Sequence, residues 1–211
     1  MNVGVSFEGI RFVLLTFASL IVVGCATPAA VAPPNVAVAP TRPAIIAFTI
    51  VGRFSAKNGK EQASGQFRYS QSAAQRHLSI YSPLGTPLAE ITADATGAAL
   101  VAANGATQRA ESIVHLLRNV IDLPVTDSQL SLWLQGRPSE TSVGANAVRE
   151  RDSLARISRF NESGWDISVS DRFTADDANG NVADAPRRMR WMFTGDPDTE
   201  VRWIVDEWKT P

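Results

Sequence analysis

The pattern of apolar residues predicts a mainly β chain with some α, on three observations. Apolar and polar residues alternate through most of residues 48–110 and again through 154–208, the period of half-buried strands. Tight-turn signals such as Asn58-Gly59 and Asn104-Gly105 divide these runs. Between the two regions, over 113–134, the apolar period lengthens to that of a helix. The expected architecture is an antiparallel meander with short connections and two short helices laid over it as a cover. No internal repeat at solenoid or propeller periods is present.

At 211 residues the chain is long enough for one domain with a sizeable core. A net charge of −1 argues against a nucleic-acid surface built on bulk positive charge, and 45% hydrophobic content argues against a multi-span membrane protein. The single cysteine rules out an intrachain disulfide.

Arg11 precedes an apolar run, Phe12–Val23, broken by Thr16 and Ser19. That run is short for a bilayer span and suits the apolar region of a secretory signal. It ends in Val22-Val23-Gly24-Cys25, which resembles the lipobox of bacterial lipoproteins, although Val22 stands where leucine is usual. The resemblance makes residues 1–24 a signal peptide and Cys25 the lipidated first residue. Several acyl chains, at about 0.8 kcal/mol per buried CH₂, would hold the protein stably on a membrane. Ala26 stands where aspartate is the usual inner-membrane retention signal, so the same resemblance favours the outer membrane. The competing reading is an uncleaved signal anchor with a buried, inert cysteine. Through residue 44 the chain is rich in Pro and Ala with no amphipathic period, as expected of a semi-rigid tether (residues 25–44).

The folded domain is expected over 45–211. Phe48, Ile50, Gly52, Phe54 and Ala56 share one strand face, and Phe67 and Tyr69 one face of the next. In Arg76–Ile91 two strand-like runs flank Ser82-Pro83-Leu84-Gly85-Thr86. Pro83 presets φ for a turn and Gly85 can take φ > 0, so the turn should push Leu84 outward. A leucine there either touches lipid or another apolar surface, or folds back onto its own strands. Asp94–Gly97 turns into Ala98–Ala102, and Asn104-Gly105 into Thr107–Arg109.

Ile113, Leu116, Leu117 and Val120 then recur at helical spacing until Asp122-Leu123-Pro124 breaks the pattern. Thr126 with Gln129 is a capping-box signal, Leu130, Trp133 and Leu134 form the apolar face, and Gly136 and Pro138 end the second helix. A strand is expected over Leu154–Phe160, then a turn at Asn161–Gly164, and Trp165, Ile167 and Val169 alternate on the return. Thr174–Ala185 has no period and reads as a long exposed loop. Met189, Trp191 and Phe193 alternate next. On the last strand Val201, Trp203 and Val205 share one face, with Ile204 and Trp208 on the other.

Motifs for catalysis are missing: no Gly-rich phosphate loop, HExxH, CxxC or nucleophile elbow. With one cysteine and only His77 and His115, a metal site has poor raw material, so neither metal nor cofactor is expected and an enzyme is disfavoured. Asp171 and Asp176 fall near loops, where solvation is the default. Aromatic area on strand faces is the abundant resource. Those rings either fill a solid core or leave an apolar cavity beneath the helical cover, suited to acyl chains. The candidates for lining such a cavity are Phe54, Phe67, Ile80, Leu116, Leu117, Leu130, Trp133, Trp191, Phe193 and Trp203.

An ordered set of short motifs resembles the LolB family over residues 45–208. The set comprises Val51-Gly52-Arg53-Phe54, Tyr69-Ser70-Gln71, Ser82-Pro83-Leu84-Gly85, Leu123-Pro124-Val125, Leu132–Pro138, Gly164-Trp165 and Val201-Arg202-Trp203-Ile204. Ser82 and Asn119–Asp122 depart from the family pattern. The resemblance implies an unclosed antiparallel β-barrel of the LolA/LolB type, covered by a short helical lid. It also implies a lipid-anchored outer-membrane protein facing the periplasm. Such a protein accepts lipoproteins from a periplasmic LolA-like carrier, binds their acyl chains and inserts them into the membrane. Leu84, with Pro83 and Gly85, matches the family's exposed membrane-insertion loop, and Cys25 its lipid anchor. The expected partners are therefore the carrier, lipoprotein acyl chains and outer-membrane lipid, with no nucleic acid and a monomeric chain. The alternatives are a structural envelope scaffold with the same anchor, a protein that binds or transfers free lipid, and a hydrolase.

Overall fold

The computed structural model describes residues 43–118, 125–139, 147–174, 177 and 179–211. Its frame is one antiparallel sheet of eleven strands. The first six run consecutively: β1 (Phe48–Asn58), β2 (Glu61–Gln71), β3 (Arg76–Tyr81), β4 (Pro87–Asp94), β5 (Gly97–Ala102) and β6 (Thr107–Ala110). Among the described residues two helices follow, α1 (Ile113–Leu117) and α2 (Asp127–Leu134). The second run is β7 (Val148–Arg151), β8 (Ile157–Glu162), β9 (Trp165–Arg172), β10 (Pro186–Phe193) and β11 (Glu200–Lys209). Spatial order is β6-β5-β4-β3-β2-β1-β11-β10-β9-β8-β7. Two meanders are thus joined where β1 pairs with β11, and among the described residues β6 and β7 remain as unpaired edges, so the barrel does not close.

The helices lie on opposite halves of this sheet. α1 packs on β4, β5 and β6. Trp133 of α2 meets Trp165 on β9 and Trp191 on β10. Ser112 caps α1 by accepting from the His115 N–H, and Thr126 with Gln129 forms the expected capping box on α2. Asp127 also accepts from the N–H groups of Ile113 and Val114, both at 3.1 Å. One helix thereby satisfies the orphan donors of the other, which ties the two into a single cover.

Alternation places the inward residues as the sequence predicts on β1, β2, β9 and β10. Four details differ. The strand read as Leu154–Phe160 starts at Ile157, because Asp152 accepts from the N–H groups of Leu154 and Arg156 and makes that stretch a turn; Leu154 is exposed. The short β7, Val-Arg-Glu-Arg, carries no alternation and is missed. The loop read as exposed over Thr174–Ala185 is partly stitched into the fold, with Phe173 and Ala185 exchanging backbone bonds with their neighbours and Asn181 buried against the Trp208 N–H. Trp208 does not share the outer face with Ile204. Val51 pairs with Glu207 but Gly52 with Val205, so Asp206 is an extra residue on β11. That bulge turns Trp208 back into the core, where it stacks on Phe48 at 5.1 Å. A Cβ at Gly52 would lie 2.2 Å from the Ile204 carbonyl oxygen, so only glycine fits beside the bulge. Arg53 holds the displaced Asp206 with two bonds, at 2.9 and 3.2 Å. Val120 and Asp122-Leu123-Pro124, expected to end the first helix, lie outside the described residues; α1 is described as far as Leu117.

Candidate functional site

Two features stand out: a rigid loop at one end of the sheet, and a run of aromatic rings beneath the helical cover. The loop joins β3 to β4. The Ser82 N–H donates to the Thr86 carbonyl at 2.8 Å, the Gly85 N–H to the Ser82 carbonyl at 2.9 Å, and the Thr86 N–H to the Ser82 hydroxyl at 3.1 Å. Gln66 of β2 donates to the Pro83 carbonyl at 3.0 Å. Gly85 sits at φ +87°, the conformation that the sequence anticipates. With the backbone held on both sides, Leu84 projects with 96% of its surface exposed, so it does not fold back onto its strands. Two outward apolar residues on the neighbouring strands, Leu88 and Val101, are about half exposed and were not singled out by the sequence.

All ten residues proposed to line a cavity lie in the core or pack against it. The sheet supplies Phe54, Phe67, Ile80, Trp191, Phe193 and Trp203; α1 supplies Leu116 and Leu117; α2 supplies Leu130 and Trp133. The rings form a continuous run. Phe54 and Phe67 both meet Trp203, with centroids 6.1 and 5.0 Å away. Trp203 meets Trp191 at 5.1 Å, and Trp191 meets Trp133 edge-on at 5.4 Å. Trp133 then reaches Trp165 at 6.5 Å, and Trp165 reaches Phe193 at 5.5 Å. Trp165, absent from the ten, belongs to the same surface. In this arrangement the indole of α2 lies against the indoles of the sheet. A recess of about 330 Å³ lies elsewhere, lined by Ile45, Gln135, Arg156, Arg172 and Trp208 among others, and shares none of the ten.

One buried charge fastens the cover. Glu162, at the end of β8, accepts from Trp133 Nε1 at 2.8 Å, Gln129 Nε2 at 3.0 Å and the Ser139 N–H at 3.0 Å, and is also bonded by the Ser139 hydroxyl. Burial pushes its carboxyl up, but donors from Ser139, Trp133 and Gln129 outweigh burial and hold it below the usual carboxylate range. The sequence hides this residue because it adjoins a turn, where a glutamate is normally solvated.

The two histidines lie on different elements. His77 lies on β3 opposite Ser70 and Thr92. His115 is exposed on α1, and its neighbour Ser112 is engaged as the helix cap. Among the described residues no group of three or more His, Cys, Asp or Glu could hold a metal ion. Asp171 faces Arg187 and Arg188 at 3.7 and 3.8 Å. Cys25, residues 1–24 expected to be a signal peptide, nearly all of residues 25–44 expected to be a tether, and Asp176 lie outside the described residues.

The family described as "Outer membrane lipoprotein LolB" matches residues 46–208. The chain is 30% identical over 196 residues to an outer-membrane lipoprotein LolB of an Azoarcus species, covering 93% of each chain. It is 29% identical over 207 residues to one from Ralstonia nicotianae, covering 92% of this chain and 94% of that one. A solved LolA superfamily protein from Nitrosomonas europaea superposes with a TM-score of 0.47 at 9% identity, covering 78% of this chain and 86% of the other.

Proposed function

This chain belongs to the LolB family, and on that premise we propose that it is an outer-membrane lipoprotein that receives other lipoproteins and places them in the outer membrane. Cys25 is the lipid anchor, residues 26–44 let the domain stand off the membrane, and residues 45–211 bind cargo. A periplasmic LolA-like carrier hands over the cargo's acyl chains, which lodge between the helical cover and the aromatic face of the sheet. Burial of methylenes drives the step, so no nucleotide, metal or covalent chemistry is involved. The observation that carries this reading is Leu84, an apolar side chain held out by a hydrogen-bonded loop and left exposed among the described residues. It is the contact through which cargo leaves for the bilayer.

The test is transfer of a labelled lipoprotein from loaded carrier to this protein and on to vesicles. Leu84→Glu should still accept label but stop its delivery; normal delivery by that variant would sink the loop assignment. One observation favours a second reading, an envelope scaffold: all ten aromatic and aliphatic candidates are packed. A scaffold takes up no label from the carrier at all.

A further inference from the structure

Three indole N–H groups in the aromatic run have no acceptor among the described residues: Nε1 of Trp165, Trp191 and Trp203 are each buried and unbonded. This is unusual, because a buried indole normally finds a partner and an unmade bond carries a desolvation penalty. Trp133, in contact with both Trp165 and Trp191, makes its bond to Glu162. The indole on the cover is therefore satisfied, and the three on the sheet are not. Trp208 Nε1 is also unbonded, but that ring stacks on Phe48 outside the run and is not one of the three.

We propose that these three N–H groups form a polar subsite for the carbonyl oxygens of fatty-acyl esters, a specificity element inside an otherwise apolar site. It rests on the lipoprotein-receptor reading. The ligand must bring a hydrogen-bond acceptor into an aromatic surface, so an acceptor joined to a hydrocarbon chain fits. The acceptor must also be neutral. None of the rings in the run carries charge, and the charged group bonded to Trp133 is the Glu162 carboxylate, which disfavours a fatty-acid carboxylate or a phosphate. An ester carbonyl meets both conditions. The glyceryl esters of an acylated cysteine and those of a phospholipid share this chemistry, and the receptor reading selects the first.

The full chain, purified in a mild detergent, is titrated with a labelled dipalmitoyl-glyceryl cysteine peptide and with its dihexadecyl ether counterpart. The two probes have matched chains, and each affinity is corrected for that probe's own micelle partitioning measured without protein, so the corrected ratio isolates the carbonyls. The expected ratio is about fivefold or more in favour of the ester, since one net hydrogen bond corresponds to roughly twofold to tenfold and the probe carries two ester carbonyls. In W165F/W191F/W203F, which keeps an aromatic ring at each position and removes the N–H, the ratio should fall below about twofold, with ether binding little changed.

Equal binding of ester and ether to the unmodified chain overturns the subsite. So does an equal loss of both probes in the triple variant, which marks a packing role only. If the triple variant fails to fold, the ester-to-ether ratio of the unmodified chain decides alone. If neither probe binds, the receptor reading itself fails and the subsite falls with it. If phosphatidylethanolamine displaces the ester probe as well as unlabelled lipopeptide does, the subsite stands and the cargo assignment falls.

Discussion

Replacing Glu162 with alanine should loosen the helical cover. The carboxylate takes bonds from α2 through Trp133 and Gln129, and from the segment after α2 through Ser139. Removing it leaves at least the Trp133 indole N–H and the Ser139 backbone N–H buried without this acceptor. At about 1–3 kcal/mol for each stranded donor, the loss is about 4 kcal/mol, a large share of the roughly 5–15 kcal/mol that stabilises a domain. With a urea slope of about 2 kcal/mol/M, the unfolding midpoint should drop by about 2 M. Glu162→Gln keeps one acceptor oxygen and loses the charge, so its drop should be about half as large.

The pH dependence has a definite sign. The folded carboxyl lies below its unfolded value, so its contribution is present above the unfolded pKa and disappears as pH falls through the folded one. The gap between the unmodified chain and the Gln variant should therefore be full at neutral pH and narrow in acid. Urea unfolding followed by tryptophan fluorescence at neutral and acidic pH reads both effects. Shifts under about 0.5 kcal/mol for both variants, or a gap that widens in acid, would refute the assignment of Glu162 as the fastening of the cover.

Other outcomes rest on the same geometry. Gly52→Ala forces a methyl against the Ile204 carbonyl, and should lower stability by about 2–4 kcal/mol in a urea melt. Asp127→Ala removes the acceptor at the start of α1, and should lower stability by about 1–2 kcal/mol, with amide exchange at Ile113 and Val114 rising first. Leu84→Glu should leave the melting curve within about 0.5 kcal/mol of the unmodified chain, since the side chain touches almost nothing; a larger loss means that Leu84 packs in solution.

Much of this molecule is written locally. Alternation along Phe48–Ala56 and Trp165–Val169 sets which side chains face inward, because successive residues of a strand must point to opposite faces. The capping box at Thr126 and the turn at Pro83–Gly85 depend on groups within a few residues of each other, so their chemistry is visible without neighbours. The turn aims Leu84 outward, but that it stays exposed and does not fold back is decided in the structure, where Gln66 holds the Pro83 carbonyl from the neighbouring strand. Other features depend on what arrives across the sheet. Trp208 is read onto the wrong face because Asp206 bulges only in register with Gly52, which lies at the other end of the folded domain's sequence. Glu162 is polar and beside a turn, and only α2 docking over it makes it a buried acceptor. The pairing of β1 with β11, which leaves β6 and β7 as open edges, has no local signature. Whether the rings of Trp133, Trp165, Trp191 and Trp203 meet or stand apart is likewise decided by how far the cover descends onto the sheet. Periodicity and turn chemistry act through neighbouring dihedral angles and can be read from adjacent residues. Register, burial of a charge and contact between rings are set by segments far apart in the chain and become visible once the chain is folded.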